Sequence, residues 1–180
     1  MELQANLRMM ARYNQRINSS LLDICGQLSE EQLNQNTLSF FPSVLDHWNH
    51  IMFGDLIMLQ RLAANKVGGL DDTSLEQFPV SRKVDDTFAS TLASFIPLRH
   101  LLDTIICEMV EQLTDDVTSE PFHYTNTEGQ RLTKLVGEYC QHLFNHQTHH
   151  RGQLTCILSQ FGLDYGCMDL PIVVPEGGAI

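Results

Sequence analysis

His146 and His150 occupy consecutive positions on an apolar stripe that repeats at helical spacing: Leu132, Val136, Tyr139, Leu143, then Leu154, Ile157 and Phe161. Four residues apart on a helix, both imidazoles project from one face, with Cβ atoms roughly 6 Å apart. Imidazoles facing a core cost free energy unless their nitrogens are satisfied. A bound divalent metal satisfies them; hydrogen bonds to backbone or water are the alternative. His142 and His149 fall at the edge of the stripe, about 80–100° around the helix. That phasing favours His146 and His150 over the His146 and His149 pair. Half of a zinc-protease motif is present, but the motif needs Glu directly after the first histidine. Here Gln147 stands in that place, so protease chemistry is not expected.

A third ligand must come from another helix. The segment His47-Trp48-Asn49-His50 supplies two candidates, neither on the main stripe of its helix (Leu45, Trp48, Met52, Leu56, Leu59, Ala63). Spacing therefore leaves His47 and His50 open, surface positions included. Asn14 interrupts the stripe of the first helix. It either hydrogen-bonds a ligand histidine or lines a pocket, or it is a buried polar residue that sets helix register. Gln153, one turn beyond His150, faces partly inward as a histidine partner or substrate contact. Arg151 is expected on the other side, meeting solvent or an acid. Asp55 is expected to project away from His50 and to pair with Arg61 or a helix terminus. Trp48 and Tyr139 read as packing.

Four long amphipathic helices position these residues. The first covers residues 3–27, with Leu3, Leu7, Met10, Ile17, Leu21 and Leu28 in register. Ser29 with Gln32 forms a capping-box pattern for a short helix from Glu30. Phe41-Pro42-Ser43 makes a break and a cap before the second long helix, residues 44–66, which stops at Gly68-Gly69. Phe53 and Ile57 lie off its stripe, so it should meet neighbours on more than one side. A loop with Pro79 spans residues 71–82. The third helix covers residues 85–113, where Pro97 should kink or divide it. Residues 114–130 are polar, with Phe122 to Tyr124 able to extend and pair. The fourth helix covers residues 131–160 and ends at Gly162, and the tail with Pro171 and Pro175 reads as coil. The pattern is an all-α helical bundle in one domain, residues 1–180. The longer connections leave the order of helix directions open.

With 22 acidic and 11 basic residues the net charge is −11. That argues against nucleic acid and anionic membranes as partners. Apolar content is 43%. No signal peptide is expected, nor a membrane-spanning run of about 20 apolar residues. Five cysteines, an odd number without a CxxC, read as free thiols in a reducing cytoplasm.

The chain resembles the DinB-like family of metalloenzymes, which includes YfiT-type proteins. The resemblance rests on Tyr13-Asn14 through Leu22, Leu28-Ser29-Glu30-Glu31, Phe41 through Ser43, and Trp48-Asn49-His50-Ile51 through Asp55. It is strongest in the run from His142 to Gln153, where His146 and His150 carry an HxxxHRGQ pattern, and it returns at Asp169-Leu170-Pro171. It implies an up-down-down-up four-helix bundle, a divalent metal on His50, His146 and His150, and a homodimer. Relatives in the family act with low-molecular-weight thiols, by transfer or by thiol-assisted isomerisation. Three imidazoles leave a coordination position for water or substrate. A metal there activates water, polarises a carbonyl or holds a thiolate. All-nitrogen ligation suits nickel as well as zinc. The expectation is thus a cytoplasmic metal-dependent enzyme acting on a small molecule by thiol-dependent transfer or hydrolysis. The alternative is a non-catalytic dimeric metal-binding or interaction module.

Overall fold

Capping chemistry sets where the helices begin. In the computed structural model, which describes residues 2–71, 73–79 and 86–174, the first helix α1 spans Leu3–Cys25. Ser29 and Gln32 then close a reciprocal capping box that starts the one-turn helix α2, Glu30–Asn34. Ser43 and Asp46 do the same for α3, Val44–Ala63. The chain turns through left-handed Lys66 into a short 3₁₀ turn, Val67–Gly69. Thr91 caps α4, Leu92–Gln112, and Thr114 caps the short α5, Asp115–Ser119. The remaining helices are α6, Val136–Gln160, and the short α7, Leu170–Val173.

The protein is mostly helical, with one antiparallel hairpin of β1, Pro121–Thr125, and β2, Arg131–Leu135. Phe122 faces Lys134 and Tyr124 faces Leu132 across the ladder. These four share one side, on which Phe122 packs edge-on against Tyr139 of α6, 4.9 Å between centroids. α1 packs on α4 and α6, and α3 packs on α6. Their shared interior holds Leu7, Leu21, Trp48, Met52, Phe95, Ile106 and Leu154, all fully or almost fully buried. No helix among the described residues is long and apolar enough to cross a membrane.

Four expectations change. Residues 131–135 are strand β2 rather than the first turns of α6. Over five residues Leu132 and Val136 fit a helical stripe as well as a strand, and the partner that decides is Pro121–Thr125 across a turn closed by Asn126. α4 begins at Leu92, where the Thr91 side chain caps it by accepting from the Ser94 N–H. Pro97 sits inside α4 without dividing it. Both Pro97 and Ala93, whose carbonyl loses its partner, are exposed, so water replaces the missing bond. The tail is not all coil: α7 lies beside α1, where Tyr13 donates to the Met168 carbonyl and Arg16 to that of Val173. The expected helix start at Asp85, part of the 71–82 loop and the tail beyond residue 174 lie outside the described residues.

Candidate metal centre

α6 carries His146 and His150 one turn apart, and α3 carries His50 opposite them. One ring nitrogen from each lies within 4.8 Å of the others. His50 Nε2 and His150 Nε2 are 3.1 Å apart. Two nitrogens bound to one zinc at ~2.05 Å with tetrahedral angles lie about 3.3 Å apart, so the pair already has the spacing of co-ligands. His50 and His150 are each 8% exposed, and His146 is half-buried.

Protonation suits ligation. Burial pushes the His146 imidazole down to about 3, and the neighbouring His150 and His50 rings push the same way. Burial also lowers His150, against the opposing hydrogen bond to Gln153. Both rings are neutral at pH 7, the form that donates a lone pair to a metal. His150 Nδ1 lies 2.9 Å from Gln153 Oε1. An amide oxygen only accepts, so Nδ1 carries the proton and Nε2 is left with its lone pair directed at the cluster. His146 Nδ1 is buried with no hydrogen-bond partner. A buried imidazole nitrogen without a partner is costly, and the all-imidazole donor set around it fits a divalent ion.

A close approach of two helices builds this geometry. A Cβ on Gly54 of α3 would lie 2.3 Å from His146 Cε1. Only glycine there lets the imidazole lie against the backbone of α3. Phe41, on the loop before α3, stacks on His50 with centroids 3.8 Å apart and meets His150 edge-on at 5.7 Å. It covers one side of the cluster, and nothing in helical periodicity pointed to it.

The other candidates separate. His47 donates from Nδ1 to the Ser43 carbonyl, at 3.0 Å, and stays out of the cluster. His149 and His142 are exposed at its rim, 4.8 Å from His150 and 6.2 Å from His146 respectively. Asn14 bonds to Asp103 and Arg151 rather than to a cluster histidine. Arg151 does not meet solvent: it is 1% exposed and donates to Asn14, Asn18 and Gln147. Asp55 does not pair with Arg61. Its Oδ2 accepts from Arg99 at 2.5 Å and from Gln147 at 2.8 Å. Asp103 accepts the other arm of Arg99 at 2.8 Å, together with Asn18 and Asn14.

Those groups form a buried polar lattice that ties together all four long helices beside the histidine cluster. Its two carboxylates and two guanidiniums balance in charge. Burial raises the Asp55 carboxyl to about 6 despite the Arg99 charge, and raises Asp103 as well. Gln147 links the two regions: it lies next to His146 in sequence and bonds to Asp55, Asn18 and Arg151. Asn14 announced this lattice in the sequence, as a polar residue on an apolar stripe.

The model of the DinB family matches residues 1–174. Protein DinB of Bacillus subtilis (strain 168) is 24% identical over 164 residues, spanning 86% of this chain and 88% of that protein. No solved structure matches. A match over nearly the whole chain, on a sequence whose three histidines converge on one point, means that the chain belongs to the DinB family.

Proposed function

We propose that this protein is a divalent-metal-dependent enzyme acting on a small molecule, with His50, His146 and His150 as the metal ligands. The observation that carries the reading is the convergence of three imidazoles on one point. When bound, zinc or nickel supplies Lewis acidity and lowers the pKa of a proton donor that reaches an open position. Gln153 holds the tautomer of His150. Gly54 lets His146 approach, and Phe41 shields the His50 ring from water. All-nitrogen ligation and an unshared position suit a thiol cosubstrate, so thiol-dependent transfer or hydrolysis is the reaction class. The reading includes an up-down-down-up bundle of α1, α3, α4 and α6, a homodimer and a cytoplasmic location.

The test is metal content per protomer on tag-free protein and on His50→Ala, His146→Ala, His150→Ala and His149→Ala. Near-stoichiometric metal in the wild type and in His149→Ala, lost from the other three while they stay folded, is the expected result. Equal loss in His149→Ala and His150→Ala would overturn the ligand set. Sedimentation velocity reads the dimer, and a monomer at micromolar concentration would remove it. A second reading, a closed structural site without catalysis, draws on Phe41 packed over two of the rings. X-ray absorption on the loaded protein separates the two: four protein ligands with no exchangeable one would select the structural site.

A further inference from the structure

Beyond the histidines, where α3, α6 and the hairpin meet, lies a cavity. It has a volume of about 400 Å³ and is lined by Arg61, Tyr124, Lys134, Glu138, Tyr139 and His142. Two of the chain's 11 basic side chains line it, in a protein of net charge −11. Among the described residues neither is in an ion pair. Arg61 lies over the Tyr124 ring, 4.9 Å from its centroid, and donates to the Tyr139 hydroxyl at 3.1 Å. That hydroxyl accepts from the guanidinium, so its own proton is left to donate. Tyr139 is 4% exposed, and burial raises its pKa, which keeps the phenol protonated. A fixed guanidinium, a phenol donor and an ammonium lining one cavity are the chemistry that holds a carboxylate. Glu138 in the same lining disfavours a doubly charged group such as phosphate.

The position relative to the histidines is equally specific. Arg61 follows Gly54, the residue against His146, by seven positions on α3, a rise of about 10 Å. On α6 the rings of His146, His142 and Tyr139 succeed one another at 6.2 Å and 6.3 Å. His142 is exposed, and His146 and Ile57 are half-buried, so the strip between the two places is open to solvent. The hairpin supplies the outer wall through Tyr124 and Lys134, which share its inner side.

We infer that this cavity holds the carboxylate end of an elongated small substrate or cosubstrate whose reacting end lies at the histidine cluster about 10 Å away. Arg61, Lys134 and the Tyr139 hydroxyl grip the carboxylate. The inference rests on the metal reading above and names the chemical class of its ligand: a linear acid with a metal-seeking group at the far end.

The experiment uses cobalt-loaded protein, in which thiolate ligation gives a near-ultraviolet charge-transfer band. ω-Mercapto acids from mercaptobutyrate to mercaptoundecanoate are titrated beside the ω-mercapto alcohols of equal length. The acids should bind about tenfold more tightly than the alcohols at one chain length, the gain expected of a charge-assisted hydrogen bond. The ratio should collapse toward unity in Arg61→Gln and in the exposed Lys134→Met, whose far-ultraviolet circular dichroism verifies folding. A wild-type ratio near unity with thiols bound to cobalt would overturn the inference and leave the metal reading standing. A ratio that persists in both variants would place the carboxylate elsewhere and also overturn it. Protein that takes up no cobalt, or shows no thiolate band with any thiol, would sink the metal reading and the inference together.

Discussion

Gly54→Ala separates the proposed metal centre from the fold that carries it. The added Cβ would stand 2.3 Å from His146 Cε1, 2.8 Å from Nδ1 and 3.1 Å from Nε2. Carbon atoms in contact sit about 3.5–4.0 Å apart, so the ring must retreat by more than ~1 Å or α3 and α6 must part by as much. Metal–ligand distances tolerate about 0.2 Å. His146 therefore leaves the shared point, while His50 and His150, 3.1 Å apart, remain. Loss of one imidazole of three should weaken zinc at least ~100-fold, since disturbing even a hydrogen-bond partner of a ligand costs about 10–100-fold. The metal-free protein should respond in the opposite direction. Its half-buried His146 can swing outward, and alanine in a helix interior is favoured over glycine by about 1 kcal/mol. Competition against a chromophoric chelator gives the affinity, and thermal melts with and without chelator give the stability. Weak zinc binding combined with an unchanged or raised melting temperature of the metal-free form is the expected pair. Zinc affinity within threefold of wild type would refute the close approach of α3 to His146.

Three further outcomes are expected. Gln153→Leu removes the acceptor that fixes the His150 tautomer, and zinc affinity should fall about 10–100-fold with the fold intact; an unchanged affinity would show that His150 orients itself. Arg99→Met leaves Asp55 and Asp103 buried without their shared cation, at a cost of about 3–5 kcal/mol in denaturant unfolding; a loss below about 1 kcal/mol would mean that the lattice relaxes or admits water. The Asp55 carboxyl, raised from 3.8 to about 6 in the folded state, takes up a proton in that window before the unfolded chain does. Its contribution to stability therefore grows as pH falls from about 6 to about 4 and is lost again as pH rises through 6, by up to about 3 kcal/mol. The stability of wild type minus that of Asp55→Asn should follow that curve, and a difference that is flat between pH 4 and pH 7 would contradict it.

Periodicity located most of what one helix decides for itself. His146 and His150 share a face because helical geometry puts residues four apart side by side, and Ser29 with Gln32 and Ser43 announce helix starts through contacts three residues away. His50 stayed ambiguous because α3 is buried on nearly every side. A helix enclosed by neighbours has no solvent face to phase against, so the apolar stripe says nothing of which neighbour a polar residue meets. The resemblance, not the spacing, singled His50 out.

Arg151, Asp55 and Arg99 show the limit from the other side. Charged residues read as surface because burying a lone charge is prohibitive, and each becomes tolerable through a set of partners that includes ones 44 to 137 positions away in the chain. The hairpin has the same character: residues 131–135 are a strand only because residues 121–125 lie beside them. The sequence by itself determined the presence of the long helices, the caps at Ser29 and Ser43 and the paired histidines, all consequences of interactions within a few residues. Tertiary structure alone decided how His50 meets His146 across Gly54, which charges could be buried, and where the basic cavity lies, because each depends on the spacing of helices that no local pattern encodes.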